Sequence, residues 1–219
     1  MSASARAEPA TEEVEVRLTC SPTYRAIRAV MRIVFRLAFR RRIRGLEHLP
    51  ETGPVMLVAN HQSFLDIPLI AVATPRHVAF VARDSLARSR VLSFIMTSCG
   101  VVLVKRGKLD RAVLREMLAH LEGGDCLAIF PEGTRTRDGR VQTFRAGALL
   151  AARKAQVQIV PVAIRGTIQA WSRAARLPRP APVSVRFAPP IDAARPDALE
   201  HLEATIGELV GDGMFSPDA

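Results

Sequence analysis

Three polar clusters in the chain contain residue types that can do chemistry, and each follows an apolar run. The clusters are Asn60-His61 with Asp66, Lys105-Arg106-Gly107, and Glu132-Gly133-Thr134-Arg135. A histidine can take a proton from a hydroxyl near neutral pH, and a carboxylate on its other ring nitrogen stabilises the imidazolium that forms. A glycine turn that carries a threonine hydroxyl and a guanidinium can hold a phosphate group. These clusters indicate proton transfer beside an anion-binding site.

The five-residue gap between His61 and Asp66 limits how the two side chains can meet. In a continuous helix they would lie about 140° apart, so contact requires His61 in a turn and Asp66 in the first turn of the helix that follows. The buried run before His61 and a helical pattern starting near Ser63, a possible N-cap, supply such a turn. Taken alone, the spacing also fits a structural histidine and an aspartate paired with an arginine. Residues 132–135 taken alone fit an ordinary polar turn equally well.

Elements that can position these clusters are visible as apolar runs alternating with helical patterns. Strands are predicted at 54–60, 77–82, 101–106, 157–166 and 181–191, and residues 126–135 are predicted to be a strand that runs into a turn. Helices are predicted at 63–73, 85–100, 109–124, 145–155 and 197–212. This alternation predicts an α/β fold with a mixed, largely parallel sheet flanked by helices and preceded by an N-terminal amphipathic basic helix. The strand at 181–191 is expected at an edge because prolines flank it.

Composition favours one sizeable domain: the chain has 219 residues, is 48% hydrophobic and carries a net charge of +10. Three widely spaced cysteines give neither a disulfide framework nor a metal pattern, which favours a reducing compartment. No signal peptide is recognised. Residues 1–21 are expected to be a flexible leader, and residues 213–219 a C-terminal tail.

The segment 22–44 is the most basic part of the chain, because eight arginines and no acid fall between Arg25 and Arg44. At about 100° per residue, five arginines share one side of a helix: Arg25, Arg28, Arg32, Arg36 and Arg40. Apolar residues fill the opposite side: Ile27, Val30, Met31, Val34, Leu37 and Ala38. The pattern predicts an amphipathic helix over 22–44 that lacks the ~20 apolar residues needed to span a bilayer.

Two interpretations of this helix stay open. It either packs on the protein's own core with its arginines in solvent, or lies in a membrane interface with its arginines on anionic head groups. Nucleic acid is not expected as a partner, because the chain has one Trp and one Tyr and the segment lacks interleaved aromatic residues. We favour the membrane interface. The remaining histidines, His48, His77, His120 and His201, show no partner pattern and are expected to be structural or solvent-facing.

Together the clusters resemble the sequence blocks of the 1-acyl-sn-glycerol-3-phosphate acyltransferases, the PlsC-like glycerolipid acyltransferase family. Asn60, His61 and Asp66 match its N-H-x4-D block, and residues 130–135 match F-P-E-G-T-R at every position. Residues 100–106 match G-x-x-[FL]-[VI]-x-R, 144–147 match F-[KR]-x-G, and 159–162 match the hydrophobic-Val-Pro-Val strand. The resemblance covers residues 45 to 190 with the blocks in order, and Leu103 and Lys105 are mild departures.

The resemblance implies transfer of a fatty acyl group from an acyl thioester, acyl-CoA or acyl carrier protein, to the free hydroxyl of a lysophospholipid. The foremost acceptor is 1-acyl-sn-glycerol-3-phosphate, which gives phosphatidic acid. His61 would be the general base and Asp66 would orient it. The implied substrate-binding residues are Asn60, Arg106, Glu132, Gly133, Thr134 and Arg135. No metal or cofactor is expected, since the acyl donor is a substrate.

By the same resemblance, residues 45–212 form an acyltransferase domain held at the cytoplasmic face of the cell membrane as a peripheral or monotopic protein. An acyl carrier protein is a further expected partner if it brings the donor. Two alternatives remain: another lyso-lipid acceptor, such as lyso-ornithine lipid, or a non-enzymatic module that binds anionic lipid. A hydrolase would need a Ser or Cys nucleophile on a sharp elbow, and no G-x-S-x-G occurs.

Overall fold

A computed structural model of the protein describes residues 22–83, 101–104 and 111–211. Four sequence predictions lie outside these residues: the leader at 1–21, the helix at 85–100, the Lys105-Arg106-Gly107 cluster and the tail at 213–219.

The predicted α/β architecture is confirmed, with one mixed, largely parallel sheet at its centre. Its strands are β1 Arg42–Arg44, β2 Val55–Ala59, β3 Val78–Arg83, β4 Val101–Val104, β5 Cys126–Ile129, β6 Gln158–Arg165, β7 Ser184–Phe187 and β8 Ile191–Asp192. In the described residues their order is β1-β7-β6-β2-β5-β3-β4, with β8 also paired to β6. Only the pairs β6–β7 and β6–β8 are antiparallel there; the others are parallel.

Helices cover both faces of the sheet. They are α1 Pro22–Leu37, α2 Asp66–Ala73, α3 Arg111–Glu122, α4 Leu150–Ala155, α5 Thr167–Ala170 and α6 Ala198–Gly211, with short 3-10 turns at Leu46–His48 and Ala146–Leu149. Side chains alternate along β2: Val55 and Leu57 pack with α1 and α2, whereas Met56 and Val58 pack with α3, α4 and α6. Strands buried on both sides explain why β2 reads as an unbroken apolar run.

The parallel pairing brings the ends of β2, β5 and β6 into line. Val58 is opposite Ile129 of β5, and Ala59 is opposite Val162 of β6. Residues that follow β2 and β5 therefore emerge at the same edge of the sheet, which is where the polar clusters begin.

Two sequence predictions are wrong at the β7 end of the sheet. The segment 181–191 is not an edge strand, because β7 lies between β1 and β6, with Val185 opposite both Ile43 and Ile164. Its prolines do not interfere, since only residues 184–187 are in the strand. The basic helix predicted over 22–44 ends at Leu37, because the backbone of Arg42 donates to the carbonyl of Val183 at 2.9 Å and the chain continues as β1.

The apolar side of α1 is divided between the protein core and solvent. Phe35 is fully buried and Met31 and Val34 pack against the same core cluster, as in the core-packing interpretation. In contrast, the side chains of Val30, Ile33 and Leu37 are 55%, 59% and 74% exposed. None of the helices in the described ranges has both the length and the apolar character to cross a bilayer.

The arginines of α1 are divided as well. Arg28 faces the protein: its Nε donates to the carbonyl of Ala71 at 2.9 Å, and its guanidinium also donates to the carbonyl of Thr74. These carbonyls lie at the C-terminal end of α2, where a cation is favoured. Arg28 thus holds α1 on α2, whereas the four other arginines of the predicted basic side are exposed: Arg25, Arg32, Arg36 and Arg40. Their contact with a membrane stays a prediction.

Candidate active site

Asn60 is the first residue after β2, and its side chain fastens the end of that strand to β6. Its Nδ2 donates to the carbonyl of Ile164 at 2.9 Å, and its Oδ1 accepts from the backbone N–H of Ile164 at 2.7 Å. Asn60 is 1% exposed. Both ends of its amide are thus used inside the fold, and the structure gives it a positioning role instead of the substrate contact expected from the sequence.

His61 and Asp66 are in direct contact. Nδ1 of His61 lies 2.8 Å from Oδ2 of Asp66, and α2 begins at Asp66, so the histidine is in the turn before the helix. A carboxylate oxygen only accepts hydrogen bonds, which assigns the proton of the neutral ring to Nδ1. Nε2 is then the nitrogen with the lone pair. The side chain of His61 is 17% exposed and that of Asp66 is fully buried, so the ring can be reached from outside while its orienting partner cannot.

The loop before α2 wraps around the carboxylate of Asp66. Oδ2 also accepts the backbone N–H groups of Gln62 at 2.6 Å and Ser63 at 2.7 Å. Oδ1 accepts the hydroxyl of Thr167 at 2.6 Å, which the first turn of α5 supplies. Four hydrogen bonds therefore fix a buried carboxylate, as a buried charge requires. Ser63 is not the helix N-cap that was predicted; the N-cap position is Leu65.

Glu132 connects the third cluster to the first. Its Oε1 accepts the backbone N–H of His61 at 2.9 Å, and the carbonyl of His61 accepts the N–H of Thr136 at 2.8 Å. Burial raises the pKa of the Glu132 carboxyl to about 7, although the backbone N–H groups of His61 and Gln142 act in the opposite direction. Glu132 thus holds the backbone of the histidine turn, a role that its place in the sequence did not indicate.

The glycine turn of the third cluster is built as the sequence predicts. Gly133 has φ +68°, and its N–H donates to the carbonyl of Phe130 at 3.0 Å. The guanidinium of Arg145 lies over it, since a Cβ at Gly133 would be 2.6 Å from Cζ of Arg145. Thr134 and Arg135 follow, both partly exposed. The turn therefore combines a close backbone approach with cations from two segments of the chain.

Aromatic rings flank the candidate site. The His61 ring stacks on Phe130, with ring centroids 4.1 Å apart and planes at 20°. The guanidinium carbon of Arg135 lies 3.5 Å from the centroid of Phe64, a cation–π contact. Phe64 in turn contacts Trp171, with centroids 5.3 Å apart. These contacts restrict one face of the histidine ring and hold the guanidinium of Arg135 on Phe64, three residues after His61.

The structure thus brings together His61, Asp66, Glu132, Gly133, Thr134 and Arg135, while Arg106 lies outside the described residues. Sequence reasoning missed Thr167, which no motif marks and which lies 101 residues from Asp66. It gave no role to Arg145, although this residue belongs to a recognised block. Within the described part of the chain, no group of three His, Cys, Asp or Glu side chains is placed to hold a metal ion.

A second histidine–aspartate pair has the same spacing and was also missed. Nδ1 of His120 lies 2.9 Å from Oδ2 of Asp125, although no partner pattern was expected for His120. His120 lies in the last turn of α3 and Asp125 directly precedes β5, at the opposite edge of the sheet from His61. The His120 side chain is 4% exposed, so the structure agrees with a structural role.

A pocket of about 460 Å³ lies beside the site. Gln62 lines it, and its Nε2 donates to the carbonyl of Gly139 at 3.0 Å. The other lining residues come from the segments 138–141 and 165–169 and from the end of α6. His61 and Asp66 do not line this pocket, so it is a neighbouring space that the histidine does not face directly.

Residues 40–165 of the chain match the family model described as Acyltransferase. The chain is 36% identical over 128 residues to a chloroplastic 1-acyl-sn-glycerol-3-phosphate acyltransferase of Arabidopsis thaliana, covering 57% of this chain and 36% of the relative. It is 29% identical over 190 residues to 1-acyl-sn-glycerol-3-phosphate acyltransferase alpha of Mus musculus, covering 80% of this chain and 67% of the relative. The crystal structure of PlsC from Thermotoga maritima, a 1-acyl-sn-glycerophosphate acyltransferase, matches with a TM-score of 0.78 at 27% identity, over 88% of this chain and 80% of that one. The chain spans little more than a third of the chloroplast relative.

Proposed function

The chain belongs to the acyltransferase family, and on that premise we propose that it acylates a lysophospholipid, foremost 1-acyl-sn-glycerol-3-phosphate. The acyl group comes from a thioester, acyl-CoA or acyl carrier protein, and the product is phosphatidic acid. The relatives named for this reaction support the choice of acceptor. The observation that carries the proposal is the His61–Asp66 contact of 2.8 Å beside the turn of Gly133.

The proposed mechanism assigns proton transfer to Nε2 of His61. The free hydroxyl of the acceptor gives its proton to Nε2 as its oxygen attacks the thioester carbonyl. Asp66 stabilises the imidazolium through Nδ1. When the tetrahedral intermediate collapses, the carbon–sulfur bond breaks and the imidazolium returns its proton to the thiolate. The protein is unchanged at the end, and no acyl-enzyme forms.

Two side chains of nucleophilic type, Ser63 and Cys126, are held inside the fold. Ser63 is fully buried, and its hydroxyl donates to the carbonyl of Trp171 at 2.6 Å. Cys126 is buried in β5, where burial raises the pKa of its thiol to about 12. Neither group can be activated near neutral pH without leaving its position. These two residues therefore favour direct transfer between substrates over a covalent intermediate or a hydrolase.

The phosphate of the acceptor is proposed to bind at the turn of residues 132–135. The guanidinium groups of Arg135 and Arg145 supply positive charge there, and the lack of a side chain at Gly133 lets a cation approach the backbone closely. The sequence blocks assign Arg106 to the same end of the acceptor. Binding the phosphate at this turn would bring the acceptor's hydroxyl toward His61, because Glu132 joins the two segments directly.

We also propose that the protein works at the cytoplasmic face of the membrane as a peripheral or monotopic protein. The exposed apolar residues of α1, its three exposed arginines and Arg40 just after it support this location. Such a surface combines buried apolar area with attraction to anionic lipid. A lipid acceptor would then reach the site without leaving the bilayer interface.

The test is to incubate the purified protein with labelled acyl-CoA and a panel of lyso-lipids that includes 1-acyl-sn-glycerol-3-phosphate and lyso-ornithine lipid. We expect labelled phosphatidic acid as the main product, and a loss of about 10²–10⁴-fold in kcat for His61→Ala. His120→Ala is the matched control, because it removes the histidine of the second pair far from the site. It should reduce stability while the folded fraction keeps its turnover.

Three other outcomes of this experiment would change the proposed mechanism, the acceptor or the assignment as an enzyme. A folded His61→Ala protein with wild-type turnover would remove the histidine from the mechanism. Product from lyso-ornithine lipid alone would keep the chemistry and replace the acceptor. Tight binding of lyso-lipids without product from any donor would favour the non-enzymatic lipid-binding alternative.

A further inference from the structure

The segment between α5 and β7, residues 171–183, is a strongly basic loop with an apolar tip, which we call the basic loop. It contains three exposed arginines and no acidic residue: Arg173, Arg176 and Arg179. At 78% exposed, Leu177 is the most exposed large apolar residue in the described part of the chain. A large apolar side chain held in water among cations is the composition expected of a surface that binds an anionic, partly apolar partner.

The topology puts the basic loop at the same edge of the sheet as His61. The loop leaves from α5, directly after β6, and enters β7, whose first residue Ser184 is opposite Arg165 at the end of β6. The end of β6 is also where Asn60 binds Ile164. The contact between Ser63 and the carbonyl of Trp171, 2.6 Å long, joins the start of the loop to the histidine turn.

Hydrogen bonds hold both ends of the basic loop. The N–H of Trp171 donates to the carbonyl of Thr167 at 2.8 Å, and its indole Nε1 donates to the carbonyl of Ala175 at 3.1 Å. At the other end, the N–H of Arg179 donates to the carbonyl of Ala170 at 2.8 Å. Because these hydrogen bonds already order the ends of the loop, residues 173–180 lose little conformational entropy when they bind a partner. Residues 173–180 are all exposed, with Leu177 among them.

Helix α1 reaches the same edge. The carbonyl of Phe39, just after the helix, accepts the N–H of Val183 at 3.0 Å. The last residue of α1, Leu37, is 74% exposed, and Phe64 beside the histidine turn is 38% exposed. Three exposed apolar side chains from three segments therefore lie at the edge of the sheet that contains the site: Leu37, Phe64 and Leu177.

We propose that the basic loop is a second membrane contact, separate from α1 and next to the active site. Leu177 enters the boundary between head groups and acyl chains, and Arg173 and Arg176 bind the phosphates of anionic phospholipids. This second contact rests on the proposed function, because it serves a site whose acceptor at His61 is a lipid. Two contacts at the edge of the sheet that contains His61 would fix the direction in which the site faces the bilayer.

The experiment uses the full-length protein and vesicles of phosphatidylcholine containing phosphatidylglycerol, with pure phosphatidylcholine vesicles for comparison. Leu177→Ser and the double variant Arg173→Gln/Arg176→Gln should each weaken binding to the anionic vesicles. At roughly 5-fold per arginine near the surface, the double variant should lose about 10- to 30-fold. Residual binding is expected because α1 is intact.

The matched control is Arg115→Gln/Lys154→Gln, which removes two exposed positive charges from α3 and α4, on the opposite face of the sheet from α1. It should bind anionic vesicles like the wild type. Trp171 is the chain's single tryptophan, so its fluorescence gives a local readout. Brominated lipids should quench it in the wild type and quench it less in Leu177→Ser.

Wild-type vesicle binding by both loop variants would overturn the proposal. So would normal vesicle binding with a raised KM for acyl-CoA in the arginine variant, because the arginines would then bind phosphates of the donor. Turnover of a short-chain lyso-phosphatidate dissolved as a monomer separates this proposal from the proposed function. The loop variants should turn over this soluble acceptor as fast as the wild type does. If the wild type itself does not acylate it, the proposed acyltransfer reaction is rejected, while the measured binding to vesicles still tests the membrane contact.

Discussion

The backbone N–H of His61 donates to Oε1 of Glu132 at 2.9 Å, which joins the turn after β2 to the turn after β5. The carboxyl that makes this contact is buried, and burial raises its pKa to about 7. Burial is the largest cause of this rise; the charges of Asp66 and Glu203 act in the same direction, and two backbone N–H groups act against it. The link between the two halves of the site is therefore made by a group that titrates near neutral pH.

Glu132 should make the stability of the protein fall as pH rises from about 4.5 to about 7. In that window the folded chain keeps a proton on Glu132 that the unfolded chain has lost, so the free energy of unfolding decreases with pH. Glu132→Gln keeps an oxygen for the N–H of His61 but does not titrate. Urea unfolding gives the free energy of unfolding of both proteins at pH 5 and pH 8. The value for the variant minus that for the wild type should be roughly 1–2 kcal/mol larger at pH 8 than at pH 5.

A constant difference between the two proteins at both pH values would show that Glu132 does not change its ionisation in this range. Asp138→Asn is a useful control, because that carboxylate is exposed and its pKa is lowered, first by the hydroxyl of Thr136. Between pH 5 and pH 8 this variant should lose as much stability as the wild type, because Glu132 is intact.

Thr167 should support catalysis through Asp66 without touching a substrate. Its hydroxyl donates to Oδ1 of Asp66 at 2.6 Å. Thr167→Val leaves a buried carboxylate oxygen with one partner fewer and loosens the orientation of the histidine, so kcat should fall about tenfold. Steady-state kinetics should show KM values for both substrates within about twofold of the wild type.

Thr167→Ser is the control for this prediction, since it restores the hydroxyl and removes only a methyl group. Its kcat should return close to that of the wild type. A Thr167→Val protein with normal kcat, or a Ser variant as impaired as the Val variant, would show that the hydrogen bond has no catalytic effect.

Local patterns predicted the sheet and the histidine–aspartate contact because both depend on short stretches of sequence. The apolar run of β2 shows its burial on both faces, and the five-residue gap requires a turn before Asp66. Thr167 could not be predicted, because it reaches Asp66 only through the folding of β6 and α5 against β2. Strand β1 was missed for a related reason: Arg42–Arg44 has one apolar residue, and the edge of β7 supplies its partners.

The second histidine–aspartate pair shows what spacing alone cannot decide. His61–Asp66 and His120–Asp125 have the same gap and nearly the same contact distance, 2.8 Å and 2.9 Å. They differ in the exposure of the histidine, 17% against 4%, and in the edge of the sheet at which they lie. Burial of a side chain depends on the whole fold, so the neighbouring sequence blocks, and not the pair, were what identified His61.

Asn60 should act on stability and not on acceptor binding. Asn60→Ala would leave the N–H and the carbonyl of Ile164 buried without their partners, which costs about 1–3 kcal/mol for each group. We expect a loss of about 2–4 kcal/mol in urea unfolding and an unchanged KM for the acceptor in the folded fraction. A raised KM with little loss of stability would return Asn60 to the substrate-binding set.

Gly133 and Gly124 allow backbone strain to be separated from contact with Arg145. Both have positive φ, +68° and +85°, but an added Cβ meets Arg145 at Gly133 and nothing within 4 Å at Gly124. Each Ala variant should lose about 1–3 kcal/mol through strain. Only Gly133→Ala should also push the guanidinium of Arg145 away from the turn and raise the KM for a phosphate-bearing acceptor several-fold. Equal KM values in the two variants would mean that Arg145 takes no part in holding the phosphate, and the turn of residues 132–135 would then depend on Arg135 for its positive charge.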